Sequence, residues 1–323
     1  MMPVKKTFLV LLTGLFMILS CTPAEEPVRK DTRLKVMATI FPVYDFARHI
    51  GGDKVTVTML LPPASDAHHY EMKPDDIVRI SKTDIFLFTS FEMEQWAYKI
   101  INAAAPKTNM LAVETGQGAY LLPLSESYEH NVDHSSARQE TDMEHAAKYD
   151  PHIWLDFANA QIMIDNITTA FINKDQKNSE YYKKNAQSYK LHLQELDKKF
   201  REQLVNCKTR TILHAGHWAF AYLTHRYALK YMSAYNMSAE SEPSPQQILT
   251  LIEQVKGQKL KYIYYEDMVA PRLAQTIAGE TGAGLLKLNN GHDISKKDIQ
   301  AGESFLSLME RNLENLKKGM QCP

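Results

Sequence analysis

Nine of the twelve histidines gather at four places: His68 and His69; His130, His134, His145 and His152; His214 and His217; and His292. Neutral imidazole is the commonest protein ligand for transition metals, and it suits zinc at roughly 2.0–2.1 Å in a four-coordinate arrangement. Each cluster follows an apolar run that reads as a strand or opens a helical pattern, so loops would deliver the rings. One metal site built from distant parts of the chain is the chemistry this distribution points to. Three imidazoles and a water also describe catalytic zinc. The chain nevertheless contains neither a His-Glu-x-x-His helix nor a Gly-x-Ser-x-Gly elbow, the local motifs of familiar hydrolases.

The elements that must position these loops alternate. Strands are predicted at Leu34 to Ile40, Val55 to Leu61, Asp84 to Thr89 and Met110 to Val113, with helices near Val43 to Ile50, Pro74 to Ser81 and Glu92 to Ala104. A second series has strands near Thr211 to Ala215, Lys230 to Ala234, Tyr262 to Glu266 and Leu285 to Leu288. Its helices lie near Ala219 to Tyr227, Pro245 to Lys256, Pro271 to Thr281 and Asp298 to Lys318. Such alternation predicts βαβ units and mainly parallel sheets. Between the series, helical spacing of Ile162, Ile164, Ile167 and Phe171 and a charged helix from Glu180 to Leu204 form a connector. The expected fold is α/β: an N-terminal lobe over 34–156, connecting helices over 157–206 and a C-terminal lobe over 207–323. The metal cleft then lies between the lobes, where strand carboxyl ends present ligand groups. Residues 128–149 are polar and acidic, carry His130, His134 and His145, and read as a mobile loop.

The first residues bear on location. Lys5 and Lys6 precede an apolar stretch, Phe8 to Leu19, that is shorter than the about 20 residues of a membrane span, so 1–20 reads as a secretory signal. Ile18-Leu19-Ser20-Cys21 resembles a bacterial lipobox, which makes Cys21 the acylated first residue of the mature chain and 21–33 a lipidated tether. A formal net charge of -1 supplies no basic field for nucleic acid. In an exported compartment Cys207 and Cys322 are expected to pair. That bridge would close a long loop worth on the order of 4–5 kcal/mol in the chain-entropy model.

Three strings identify a family: Ala64-Ser65-Asp66-Ala67-His68-His69-Tyr70-Glu71, Asp150-Pro151-His152-Ile153-Trp154-Leu155-Asp156, and His214-Ala215-Gly216-His217-Trp218-Ala219-Phe220-Ala221-Tyr222. With them, the stretch from about Lys35 to Lys318 resembles the zinc-uptake solute-binding lipoproteins, the ZnuA-like branch of the TroA-like metal receptors. The resemblance implies a non-enzymatic receptor that binds Zn2+ as cargo and hands it to the permease and ATPase of an ABC importer. It would act in the periplasm or at the outer face of the cytoplasmic membrane. It also implies the ligands His68, His152 and His217, with imidazole rather than carboxylate at the third favouring zinc over manganese. For the fourth position, where many relatives carry an acidic residue, Asp293 is expected ahead of His292, while a water or Glu71 would also serve. His69, His214, His292, His130, His134 and His145 stand as accessory candidates, the last three as weak capture of further zinc. Trp154, Tyr70, Phe220 and Tyr222 read as walls around the ligand loops. A manganese or iron receptor of the same fold, a zinc hydrolase and a surface adhesin are the alternatives.

Overall fold

Short apolar runs become parallel strands buried on both faces, the pattern of sheets covered by helices on each side. Ile-Phe-Leu-Phe at β3 (Ile85–Phe88) and Thr-Ile-Leu-His at β5 (Thr211–His214) are buried at every position. The structure is a computed structural model that describes residues 32–63, 65–104, 108–124, 148–235, 243–266, 271–292 and 294–323. Cys21, Asp293, His130, His134 and His145 lie outside the described residues, as do the signal segment and most of the tether.

The first half runs β1 (Leu34–Ala38), α1 (Phe41–Gly51), β2 (Val55–Met59), α2 (Pro74–Ile80), β3, α3 (Ala97–Ala104) and β4 (Leu111–Glu114). Connecting helices α4 (Phe157–Lys174) and α5 (Ser179–Gln203) follow. The second half comprises β5, α6 (Ala221–Arg226), β6 (Lys230–Ser233), α7 (Pro245–Gly257), β7 (Tyr262–Tyr265), α8 (Pro271–Thr281), β8 (Gly284–Lys287), α9 (Lys296–Gln300) and α10 (Phe305–Met320). Two four-stranded parallel sheets result, ordered β2-β1-β3-β4 and β6-β5-β7-β8. The shared order makes the halves architectural repeats, as the alternation predicts.

Caps fix where α4 and α7 begin. Asp156 accepts hydrogen bonds from the N–H groups of Ala158 and Asn159 at the start of α4, and Ser244 accepts from Gln247 at the start of α7, which also has Pro245 in its first turn. Two predicted helices are shorter than expected. The one anticipated from Glu92 begins only at Ala97, because the buried Glu94 carboxylate turns back to accept from the Thr89 and Ser90 N–H groups and from the Thr39 hydroxyl. The one anticipated over Asp298 to Lys318 breaks into α9 and α10. Gly302 sits at φ +79° and Ser304 starts a new cap by accepting from the Ser307 N–H.

One apolar cluster runs from the first sheet through α1, α4, α5 and α10 to Tyr264, Leu286 and Leu288 of the second half. A second cluster, including Leu213, Ile263, Leu251 and Ile277, covers the opposite face of the second sheet. Buried Asp45 of α1 is a polar tie within the larger cluster. It accepts from the Tyr189 hydroxyl of α5 at 2.8 Å and from the Phe305 N–H at the start of α10 at 3.0 Å. Cys207 and Cys322 form the expected disulfide, 115 residues apart, joining the end of the connector to the end of α10. No described helix is long and apolar enough to cross a membrane.

Candidate metal centre

His68, His152, His217 and His292 converge, each offering a ring nitrogen, with all four nitrogens within 4.8 Å of one another. His68 comes from the loop after β2, His152 from the segment that leads into α4, His217 from the loop after β5 and His292 from the loop after β8. Ring centroids lie 5.2–6.2 Å apart around the set. Four bonds of roughly 2.0–2.1 Å in a tetrahedron put neighbouring donors roughly 3.4 Å apart. The Nε2 atoms of His217 and His292 already stand 3.4 Å from each other.

Buried imidazole nitrogens that face no hydrogen-bond partner are costly unless something else satisfies them. Nε2 of His68 and Nε2 of His152 are in that state, and both belong to the converging set. The opposite sides of two rings are held by carboxylates. Asp150 Oδ1 meets His152 Nδ1 at 2.9 Å and also accepts the His152 N–H at 2.9 Å. Glu266 Oε1 meets His217 Nδ1 at 2.6 Å and accepts the His217 N–H at 2.9 Å. A carboxylate on Nδ1 makes that nitrogen the donor, leaving the Nε2 lone pair for a metal and raising its basicity.

Burial keeps three of the rings neutral. It lowers His68 to about 3, with neighbouring His152 and His217 adding to the effect, and it holds His152 and His292 well below the ordinary histidine range. Burial likewise pushes Asp150 up to about 7. For Glu266 burial acts upward, but the adjacent His217 outweighs it and brings the carboxyl down to about 2. Neutral His68, His152 and His292 near an anionic Glu266 make a site ready for a dication.

The supporting wall is equally specific. Trp154 is fully buried, 5.5 Å from the His152 ring, and donates from Nε1 to the Asn290 carbonyl at 2.7 Å. Tyr222 accepts the Leu122 N–H at 2.8 Å and donates to the Asp150 carbonyl at 3.0 Å. Arg226 reaches Asp156 at 2.8 Å and grips both oxygens of Asp197. The segments carrying His152 and His217 are therefore bolted together through α6. Phe220 packs against His214 at 4.9 Å, and Tyr70 against Trp96 at 5.3 Å. At Gly216 a Cβ would strike the His214 ring and lie 2.6 Å from Glu266 Oε1, so only glycine lets the loop pass.

His214 is fully buried with Nδ1 3.3 Å from the His217 carbonyl, and it is not part of the four-ring set. His69 is exposed and pairs with Asp66 at 3.1 Å, and Glu71 is exposed. Sequence reading expected Asp293 ahead of His292. The described structure brings in the His292 ring, and Asp293 lies outside the described residues. Glu266 and Asn290 went unnoticed in the sequence. The available signal was Glu266's place at the carboxyl end of a predicted strand.

The sequence model of the family described as zinc-uptake complex component A, periplasmic (ZnuA), matches residues 36–319. This chain belongs to the ZnuA family. It is 30% identical over 318 residues to the high-affinity zinc uptake system protein ZnuA of Bacillus subtilis, covering 95% of this chain and 97% of that protein. It is 31% identical over 316 residues to the zinc-binding lipoprotein AdcA of Streptococcus pneumoniae, but this ZnuA-family chain spans only 61% of AdcA's length. The crystal structure of the Zn(II)-bound ZnuA-like domain of that AdcA superposes with a TM-score of 0.74 at 29% identity, covering 89% of this chain and 99% of the domain.

Proposed function

We propose that this chain is an extracytoplasmic zinc receptor, which captures Zn2+ and delivers it to the permease and ATPase of an ABC importer. The observation that carries the reading is the convergence of four imidazole nitrogens, from four separate loops, within 4.8 Å. His68, His152, His217 and His292 supply a complete tetrahedral donor set, so zinc is held as cargo. A hydrolytic zinc site keeps one position open for water or substrate, and four protein donors leave none. All-imidazole coordination favours zinc over manganese, which prefers carboxylate and water oxygen. The family match and the zinc-named relatives support the same assignment.

Acylation at Cys21 would tether the receptor at the outer face of the cytoplasmic membrane or in the periplasm, with 21–33 as the leash. Binding by neutral, buried histidines makes loading a competition between metal and protons for the same nitrogens. The test is to strip the full chain with chelator and titrate it with zinc and manganese, beside His217→Ala. One tight equivalent of zinc over manganese, lost in the variant, is expected. Zinc binding that survives His217→Ala, or tighter manganese binding, would overturn the assignment.

A further inference from the structure

The four rings are not supported alike. The loop holding His68 is fastened through the Trp96 Nε1 donation to the Ala67 carbonyl at 3.0 Å and the His68 N–H donation to Asp66 at 2.8 Å. Neither bond joins His68 to the segments of the other ligands. Those three segments meet at one residue. Asn290, fully buried three residues beyond β8, donates from Nδ2 to Glu266 Oε2 at 2.8 Å and accepts the His292 N–H on Oδ1 at 3.0 Å. Its own carbonyl accepts Trp154 Nε1 at 2.7 Å, two residues along from His152.

Resting on the zinc-receptor reading, we propose that Asn290 is the positioning residue of the site, the hub that sets three of the four imidazoles in one tetrahedral arrangement.

Each arm acts on a different degree of freedom. The Nδ2 bond occupies Glu266 Oε2 and so fixes the carboxylate plane. Oε1 is thereby left directed at His217 Nδ1, which aims His217 Nε2 inward. The Oδ1 bond fixes the backbone at His292, where Gly291 at φ +89° turns the chain beneath Trp154. A Cβ on Gly291 would come within 3.1 Å of Trp154 Nε1, so the turn and the hub are matched. The carbonyl arm ties both to the His152 segment. The product is the 3.4 Å separation of His217 and His292 Nε2, the edge length a tetrahedral zinc requires. Aspartate could not do this work unchanged, because it would set a second carboxylate against Glu266 in place of an N–H donor.

A second buried asparagine, without bonds to Glu266 or Trp154, stands nearby for comparison. Asn312, also buried, accepts the Asn289 N–H at 2.9 Å and donates to the Asn289 carbonyl at 2.7 Å. Its bonds brace the start of the His292 loop, but neither reaches Glu266, Trp154 or His292, the three arms of Asn290.

The experiment compares Asn290→Ala, Asn290→Leu and Asn312→Ala in the full chain. Zinc affinity is read by chelator competition, the visible d–d spectrum with cobalt(II) alone, and thermal unfolding without metal. Loss of an outer support of a metal ligand typically weakens metal binding about 10- to 100-fold. Both Asn290 variants should show that loss, with a weakened tetrahedral cobalt band. Asn312→Ala, which loosens the same loop without removing any of the three arms, should lower the unfolding temperature and cost much less affinity than either Asn290 variant. Asn290→Leu restores side-chain volume, so a folding failure of the alanine variant leaves the test intact. An unaltered cobalt spectrum with wild-type affinity in a folded Asn290 variant would overturn the hub, as would equal affinity loss in Asn312→Ala. Failure of the wild type itself to take up zinc tightly would remove the receptor reading, and the hub with it.

Discussion

Exchanging Glu266 for glutamine tests whether the buried carboxylate, more than ring placement alone, sets zinc affinity. The substitution keeps the shape and one acceptor oxygen, which would remain on His217 Nδ1, now 2.6 Å from Oε1. Its new amide would then face Asn290 Nδ2, 2.8 Å from the present Oε2, and two donors cannot satisfy each other. Asn290 must flip or withdraw, and a flip deprives the His292 N–H of its acceptor. One buried donor is left unmatched in either arrangement, which costs about 1–3 kcal/mol of stability. Zinc affinity should fall about 10- to 100-fold, the usual effect of losing an outer partner of a metal-bound histidine. The assay is thermal unfolding at a fixed free zinc concentration of about 100 times the wild-type Kd, where zinc contributes about 2.7 kcal/mol. At the same concentration the variant should retain only about 0.4–1.4 kcal/mol of that stabilisation. Full retention of the zinc-induced shift, with chelator competition giving the wild-type Kd, would refute the carboxylate's role.

Without metal the protein should lose stability as pH falls below 6.5. His68, held at about 3, and His214, held at about 4 chiefly by burial, take up protons more readily once unfolded, as do His152 and His292. Asp150 and Glu94, each raised to about 7 by burial, act oppositely but are fewer than the four lowered rings, so an unfolding temperature that stays flat or climbs between pH 6.5 and 4 would contradict the neutral-ring site. Cys322→Ser should cost up to about 4–5 kcal/mol, the chain-entropy value for a loop of this length, read from denaturant midpoints; an unchanged midpoint would mean that α10 alone holds the terminus. Gly216→Ala should weaken zinc binding by displacing His214 or Glu266, as judged by titration, and wild-type affinity would show that the loop yields without moving the site.

Much of this was legible in the sequence because its signals are local. Apolar runs of four or five residues separated by helical spacing announce parallel strands, and Asp150 to Asp156 carries a candidate ligand, its carboxylate partner and the α4 cap in seven consecutive residues. What escaped depends on contacts between distant segments. Glu266 and His217 are 49 residues apart, and a carboxylate ending a strand looks in sequence like any other. His292 was expected only as an accessory, since its place beside the other three rings depends on the turn at Gly291 and the Asn290 bond to its N–H. The premature end of the last predicted helix follows from Gly302 and the cap at Ser304, which helical periodicity across the break concealed.

The ties from α6 to the His152 segment carry a consequence for how the site is filled. Tyr222 holds the Asp150 carbonyl and the Leu122 N–H, while Arg226 holds the α4 cap residue Asp156, so the candidate ligands His152 and His217 are held near each other by contacts in which no metal takes part. On the receptor reading, the conformational entropy of gathering these two candidate ligands from residues 65 positions apart would be spent during folding and not on binding. Part of the receptor's affinity would in this sense be stored in the packing of α6, a helix that carries none of the four converging rings.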